Sequence, residues 1–324
     1  MQILEGLDGL RRLPAGAVMS IGNFDGVHLG HRHLLRVARE ICNRTAGSRI
    51  AVVTFEPHPL TVLRPSAAPP RLTPPAVKRA ALAEAGVDDL VILPPGRQVL
   101  DLTAEDFWAI VRDETRPIHL IEGPDFTFGK NRAGNIDRLR EWTTNSDIKL
   151  HVIDPIRVPL LNLQVVPVSS SLIRWLILHG RVRDAAICLG RAYVLVGKVV
   201  EGFRRGRTIG VPTANLDVPD QLIPADGVYV GRCKIDNHVH AAAISIGKAP
   251  TFEGEPRRQI EAHLINFDGD LYGRTMELEL LDWMRDQVRF AGMDALKQQL
   301  SRDIDRAGKL STVRNPERAI AAYS

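Results

Sequence analysis

Apolar residues in the first half of the chain come in short unbroken runs separated by helical patterns. Residues 17–21 and the run Ile50-Ala51-Val52-Val53-Thr54-Phe55 read as strands covered on both faces. Between them Leu34, Val37, Ala38 and Ile41 share one face of a helix whose first turn is expected near His31. A helix over 76–84 and a strand over 90–93 follow, then a helix from Ala104 that Thr103 caps, with Asp106 completing the capping pattern. A strand over 118–122, a helix over 136–142 and a strand over 149–153 continue the alternation. It predicts an α/β fold with a doubly wound parallel sheet. A helix opening at the serines 169–171 and ending at Gly180, and another over 182–188, lead out of it.

From Tyr193 the period changes. Strands over 193–200, 227–235, 241–246, 259–267 and 275–281 succeed one another without helices, and Met276-Glu277-Leu278-Glu279-Leu280 alternates with its acids outward. This predicts a small antiparallel β-barrel. Met293, Leu296, Leu300 and Ile304 lie on one face of a closing helix, and the tail from Leu310 is expected to be loosely held. The expected organisation is one domain over 1–185, a second over 186–310 and a C-terminal tail over 311–324.

Composition agrees with two ordinary cores. At 324 residues the chain exceeds the size at which single cores stop growing, and 44% hydrophobic with 25% charged residues is typical of soluble proteins. A net charge of +4 suits an anionic small substrate as well as nucleic acid, and no dense Lys/Arg block selects the latter. Cys42, Cys188 and Cys233 are far apart, form no C-x-x-C, and are expected to be buried thiols of a reducing compartment. The first fourteen residues carry Glu5, Asp8, Arg11 and Arg12 with no signal-peptide core, and no apolar run approaches a membrane span. The expectation is a soluble, cytoplasmic protein with neither a membrane nor a nucleic acid as partner.

Candidate chemistry concentrates in a few stretches. Ser20-Ile21-Gly22-Asn23-Phe24-Asp25-Gly26-Val27-His28-Leu29-Gly30-His31 reads as strand, glycine-rich turn and helix start, a setting that favours phosphate. Gly22, Gly26 and Gly30 permit close backbone approach, and His28 and His31 can each donate to a phosphate oxygen. Two histidines three apart also fit a surface turn. No Walker lysine is present, and a zinc site would need further ligands that stand at no suitable spacing. Asp125, in Gly123-Pro124-Asp125-Phe126-Thr127-Phe128-Gly129, can accept from a nucleobase or ribose hydroxyl, and Phe126 or Phe128 can pack on a planar ring; a turn acid and two core aromatics are the bland reading. Residues 202–216 combine Gly202, Gly206 and Gly210 with Arg204, Arg205 and Arg207, a pattern able to wrap phosphates; Thr213 and Asn215 add hard oxygens suited to Mg²⁺.

These stretches carry a resemblance. Phe24 to His31 is similar to the H-x-G-H signature of nucleotidylyltransferases, and it matches the FAD synthetase pattern G-x-F-D-G-V-H-x-G-H at every fixed position. Thr54-Phe55-Glu56-Pro57-His58-Pro59 and the Asp125 stretch resemble two further elements of that family. Ser169-Ser170-Ser171-Leu172-Ile173-Arg174 resembles its S-S-T-x-I-R, with Ser171 in place of Thr. The resemblance implies a Rossmann-like first domain in which Gly22, Asn23, Phe24, Asp25, Gly30 and Asp125 bind nucleotide, His28 and His31 act on the transition state, and Ser170, Ser171 and Arg174 hold the β- and γ-phosphates of ATP. The fork of Arg suits that task.

Residues 202–216 likewise resemble the riboflavin kinase loop G-x-x-x-G-x-x-x-G-x-P-T-A-N, and Pro224 to Tyr229 its P-x-x-G-V-Y strand start. Ile246-Gly247-Lys248-Ala249-Pro250-Thr251-Phe252 resembles I-G-x-x-P-T-F, although Ser245 stands where that family usually has Asn. Arg285-Asp286-Gln287-Val288-Arg289-Phe290 resembles R-D-x-x-x-F. Here the resemblance implies Gly202, Arg207, Gly210 and Pro212 around ATP, Mg²⁺ on Thr213 and Asn215, Glu261 as general base, and Arg285 near the flavin. It spans about residues 15–306 and implies a bifunctional enzyme that turns riboflavin and ATP into FMN, and FMN and ATP into FAD. Two rivals are weighed beside it. A monofunctional riboflavin kinase with an inactive first domain sits poorly with intact His28, His31, Ser170 and Arg174, and a basic nucleic-acid-binding protein with only 5% aromatics.

Overall fold

The structure is a computed structural model that describes residues 1–202, 210–236, 238–248 and 258–313. The chain divides into two compact units, one of Met1–Pro69 with Pro75–Arg157, the other of Pro70–Pro74 with everything from Val158 onward.

The first unit runs β1 (Gln2–Glu5), α1 (Gly6–Arg11), β2 (Val18–Ile21), α2 (Leu29–Arg44), β3 (Ile50–Phe55), α3 (Leu60–Leu63), α4 (Pro75–Glu84) and β4 (Asp89–Leu93). It continues through α5 (Arg97–Leu100), α6 (Ala104–Ala109), β5 (His119–Glu122), β6 (Thr127–Phe128), β7 (Gly134–Asn135), α7 (Ile136–Thr143) and β8 (Lys149–Val152). Six strands form one sheet in the order β1-β4-β3-β2-β5-β8, with every neighbouring pair parallel. Successive residues of the central strands serve opposite layers. Met19, Ile21, Ala51 and Val53 pack in one core with Trp108 and Leu120; Val18, Ile50 and Val52 pack in the other with Leu35 and Leu82. Two covered faces are why those strands read as unbroken apolar runs.

Thr103 Oγ1 accepts from Asp106 N at 3.0 Å, as the capping pattern predicts. The helix expected near His31 starts earlier, at Leu29, because His28 is extended and caps it. Strand β1 has no counterpart in the hydrophobic pattern: it is four residues long at the sheet edge and buries only Leu4, too little to show a period.

The second unit has a short ribbon of β9 (Arg157–Pro159) and β10 (Val165–Pro167), then α8 (Ser170–Leu178) and α9 (Val182–Leu189). The strands β11 (Tyr193–Val200), β12 (Ala214–Asp217), β13 (Gly227–Ile235), β14 (His238–Lys248), β15 (Arg258–Leu264) and β16 (Thr275–Arg285) close a barrel in the order β11-β12-β15-β14-β13-β16. All six seams are antiparallel, β16 returning to β11. The last helix, α10 (Met293–Val313), packs on β13 and β14. Strand β12 is the element that the reading of 202–216 as one loop left out.

Segment Pro70–Pro74 is built into this unit. Arg71 O accepts from Leu222 N at 2.8 Å, Leu72 O from Gln221 Nε2 at 3.2 Å, and Pro70 O from Arg174 Nε at 2.8 Å. Leu72 is fully buried, and Arg71 pairs with Asp220 at 3.2 Å. Gln221 is the hub: its Nε2 also donates to Val194 O at 2.6 Å, and its Oε1 accepts from Val196 N at 3.1 Å. The three cysteines are buried and unpaired, and burial pushes the Cys188 thiol up to about 12 and the Cys233 thiol up to about 11. Such thiols are inert near neutrality. Among the described residues no helix is long and apolar enough to cross a membrane.

Candidate active sites

In the first unit the strand order reverses at β2. The chain steps from β2 to β3 and β4 on one side, then returns to lay β5 and β8 on the other. Ligands of open parallel sheets bind beyond the carboxyl ends of the strands at such a point. The loop from Gly22 to His28 leaves β2 there. Gly22 N donates to Val53 O at 2.9 Å, which holds the loop against β3. Phe24 and Val27 take φ of 48° and 40°, a conformation costly for bulky side chains, and both are buried among Val18, Leu35 and Ile121. Their burial sets the loop's shape.

His28 Nδ1 accepts from His31 N at 3.3 Å, so the neutral His28 ring carries its proton on Nε2. The two imidazoles stack, with centroids 3.7 Å apart and planes 16° off parallel, and Phe24 packs at 4.9 Å against His31. From β3, Thr54 Oγ1 donates to Asn23 O at 3.0 Å, and the Asn23 amide lies 3.2 Å from His58 Nε2. His58 Nδ1 accepts from Leu60 N at 3.1 Å, which puts that ring's neutral proton on Nε2 too. Asn23 Nδ2 is the amide atom that faces the ring, and its Oδ1 is buried.

Two participants carry no sequence signal. Glu122, at the carboxyl end of β5, is buried, and its Oε1 accepts from Ile21 N at 2.7 Å. Burial pushes its carboxyl well above the ordinary range, against the smaller downward pull of that hydrogen bond. Lys78 of α4 is buried with Nζ 3.3 Å from Phe55 O and 3.5 Å from Glu56 Oε2. Thr54 opens the Thr54-to-Pro59 stretch that the resemblance singles out, but its bond to Asn23 O appears only in the fold. Of the anticipated residues, Gly22, Asn23, Phe24, Asp25, His28, Gly30 and His31 are gathered at the strand end and helix start. Asp125 is exposed on the loop after β5, Phe126 is half-buried, and Phe128 lies in the core against Phe107.

Ser170, Ser171 and Arg174 belong to the second unit, on the first turns of α8. The capping serine is Ser169, whose Oγ accepts from Leu172 N at 3.2 Å.

The barrel gathers its candidates by register. Asn215 on β12 is opposite Glu261 on β15, and Glu261 is opposite Ser245 on β14. Directly opposed residues share a face. Leu216, Ile260, Ala262, Ile244 and Ile246 point into the barrel core, so Asn215, Glu261 and Ser245 form a polar row on the outer face. Thr213 precedes β12, and His263 Nδ1 donates to Pro212 O at 2.8 Å, pinning the segment that carries it. Gly202 meets the Asn215 side chain: a Cβ there would lie 2.2 Å from Nδ2, so only glycine lets the amide in. Gly210 has φ 80° and is exposed, as is Pro212. Arg207 lies outside the described residues, as do Ala249, Pro250, Thr251 and Phe252.

Arg285 has an internal task. Its Nε and Nη2 donate to Asp303 of α10, the shortest contact being 2.6 Å, its Nη1 donates to Asp286 O, and it lies over the Phe290 ring at 5.8 Å. Gln287, next but one, donates from Nε2 to Ser245 Oγ at 2.8 Å.

A parallel sheet with an imidazole pair at its switch point, and a barrel with a carboxylate between hard oxygen donors, define a nucleotide-dependent transferase of two modules. The sequence patterns of two families fall on these modules in order: FAD synthetase matches residues 10–171 and riboflavin kinase matches residues 189–311. The bifunctional riboflavin kinase/FMN adenylyltransferase of Pseudomonas fluorescens is 34% identical over 313 residues, covering 96% of this chain and 98% of that one. The protein of the same description from Escherichia coli K12 is 35% identical over 306 residues, covering 94% and 96%. A Streptococcus pneumoniae crystal structure described as a macrolide-efflux protein superposes with TM-score 0.82 at 31% identity, covering 94% of this chain and 98% of that one. The chain belongs to the bifunctional riboflavin kinase/FMN adenylyltransferase family.

Proposed function

We propose that the barrel phosphorylates riboflavin with ATP to give FMN and that the N-terminal module joins FMN to the adenylyl group of a second ATP, giving FAD and pyrophosphate. The functional modules are residues 1–185 and 186–310, followed by the tail 311–324. The observation that carries the reading is the cross-strand row, which sets Glu261 beside Asn215.

In the first step the riboflavin 5′-oxygen attacks the γ-phosphorus, its proton passes to Glu261, and the bond from the γ-phosphorus to the bridging oxygen breaks to release ADP. An alcohol needs that base. The oxygens of Thr213 and Asn215 are of the kind Mg²⁺ prefers and would hold it, and the ion would supply positive charge to the transferred phosphoryl group. Gly202, Arg207, Gly210 and Pro212 line the nucleotide.

In the second step the FMN phosphate is already an anionic nucleophile. It attacks the α-phosphorus, and the bond to the β,γ-pyrophosphate breaks. His28 Nε2 and His31 donate to the oxygens on which charge grows, so positioning and electrostatics dominate. Gly22, Asn23, Phe24, Asp25, Gly30 and Asp125 contact nucleotide, and Ser170, Ser171 and Arg174 take the β- and γ-phosphates. All partners are small molecules, namely riboflavin, FMN and ATP, with no nucleic-acid or membrane partner, and the reactions belong to the cytoplasm.

The test incubates the purified protein with riboflavin and MgATP and separates the flavins over time. FMN should appear first and FAD after it. Accumulation of FMN alone, with no label reaching FMN from α-labelled ATP, would leave a monofunctional kinase; no product at all would remove both assignments.

A further inference from the structure

Ser245 is opposite Glu261 in register, one strand away, and so borders the place where Glu261 acts. Its hydroxyl does not stand alone. Gln287, just past the end of β16, lies across β14 and donates from Nε2 to Ser245 Oγ at 2.8 Å and to Ile246 O at 3.3 Å. Gly247 makes room for it: a Cβ there would sit 3.1 Å from Gln287 Nε2 and 3.4 Å from its Cγ and Cδ. Both hydrogen bonds come from the amide nitrogen, and among the described residues Oε1 accepts none. The side chain is exposed yet held at its nitrogen end by two acceptors on one strand. An amide fixed in this way offers a carbonyl oxygen of defined direction beside the carboxylate row.

We propose that Gln287 is a specificity-determining residue of the barrel site, its Oε1 accepting a hydrogen bond from a hydroxyl of the polyol chain whose terminal hydroxyl Glu261 deprotonates, with Ser245 and Gly247 as the mount for the amide. The proposal rests on the kinase reading above. Opposed strand residues stand about 5 Å apart at Cβ, so an amide mounted on Ser245 is within reach of hydroxyls one or two carbons from the reacting one. A carboxamide suits the task because it keeps one end for the mount and one for the ligand.

The test compares Gln287→Ala, and the double variant Ser245→Asn with Gln287→Ala, against the wild type in full-length protein. Losing one hydrogen bond to an uncharged group predicts a rise of roughly tenfold in KM for riboflavin, with kcat within about threefold and KM for ATP unchanged. The double variant restores a carboxamide at the neighbouring strand position, and it should bring KM for riboflavin back to within about threefold of wild type. FMN adenylylation in the same samples reports that the chain is folded. An unchanged riboflavin KM in Gln287→Ala overturns the inference, as does a uniform loss in kcat and both KM values that the double variant does not repair. Absence of riboflavin phosphorylation by the wild type would instead fail the kinase reading itself.

Discussion

Each histidine of the first site has two separable duties. His28 caps α2 through Nδ1 and leaves Nε2–H to donate. Asn is a good cap but cannot reproduce the imidazole donor, so His28→Asn isolates the second duty. We expect His28→Asn and His31→Ala each to slow FMN adenylylation by about 10²- to 10³-fold, the loss typical of one preorganised transition-state donor. Riboflavin phosphorylation by the same samples should stay within about twofold in that case, because the two steps use different donors. Initial rates with FMN and with riboflavin check this, and equal losses in both would remove the assignment.

Glu122 allows a prediction in pH. Its folded carboxyl titrates well above 4.5, its ordinary value, because it is desolvated. Below that ordinary value, folded and unfolded chains both hold the proton. Above it only the folded chain does, so unfolding releases a proton and stability falls as pH rises toward the raised value. Glu122→Gln keeps a neutral acceptor for Ile21 N and has nothing to titrate. Denaturation curves at pH 5 and pH 9 should therefore show a smaller alkaline loss in the variant than in the wild type. An identical loss would mean that Glu122 does not govern it.

Elements were legible where burial imposes a period. The core strands β2, β3 and β5 and the barrel strands β11, β13 and β16 show their covered faces in sequence, and Thr103 announces α6. Strand β12 does not: its four residues begin inside a glycine-rich run, and it is the pairing with β15 that makes it a strand. Motifs located the candidate residues, but not the neighbours that orient them. Nothing in the sequence marks Glu122 as a partner of Ile21, since a glutamate ending a strand is ordinarily solvated. The same is true of Gln287 and of buried Lys78, whose contacts arise from chain segments far apart. Arg285 shows the converse, for its conspicuous motif position turns out to tie β16 to α10 through Asp303.

The tie made by Gln221 is the element-scale feature most open to measurement. Its amide serves Leu72 O, Val194 O and Val196 N, and Gln221→Leu would strand these groups in a buried place. We expect a loss of about 2–3 kcal/mol in urea unfolding of the second unit. A loss below about 0.5 kcal/mol would mean that solvent replaces the amide.

At the scale of the whole molecule, the proposed transition-state donors of one reaction and the proposed base of the other lie on separate folded units. His28 and His31 come from the first unit and Glu261 from the second. The separation predicts that Glu261→Gln abolishes riboflavin phosphorylation, at least 10²-fold for the loss of a general base, while FMN supplied from outside is still adenylylated. Loss of both reactions in a folded Glu261→Gln protein would tell against two independent chemistries.

The embedded segment Pro70–Pro74 has a consequence for how such a chain can change. Its five residues are encoded inside the first unit's stretch of gene but complete the fold of the second, through Leu72, Arg71 and the acceptors used by Gln221 and Arg174. No single recombination breakpoint can therefore exchange one unit and leave the other whole. A crossover after Arg157 would pair the incoming barrel with a foreign five-residue insert, and only joints that carry a compatible insert would yield a stable hybrid.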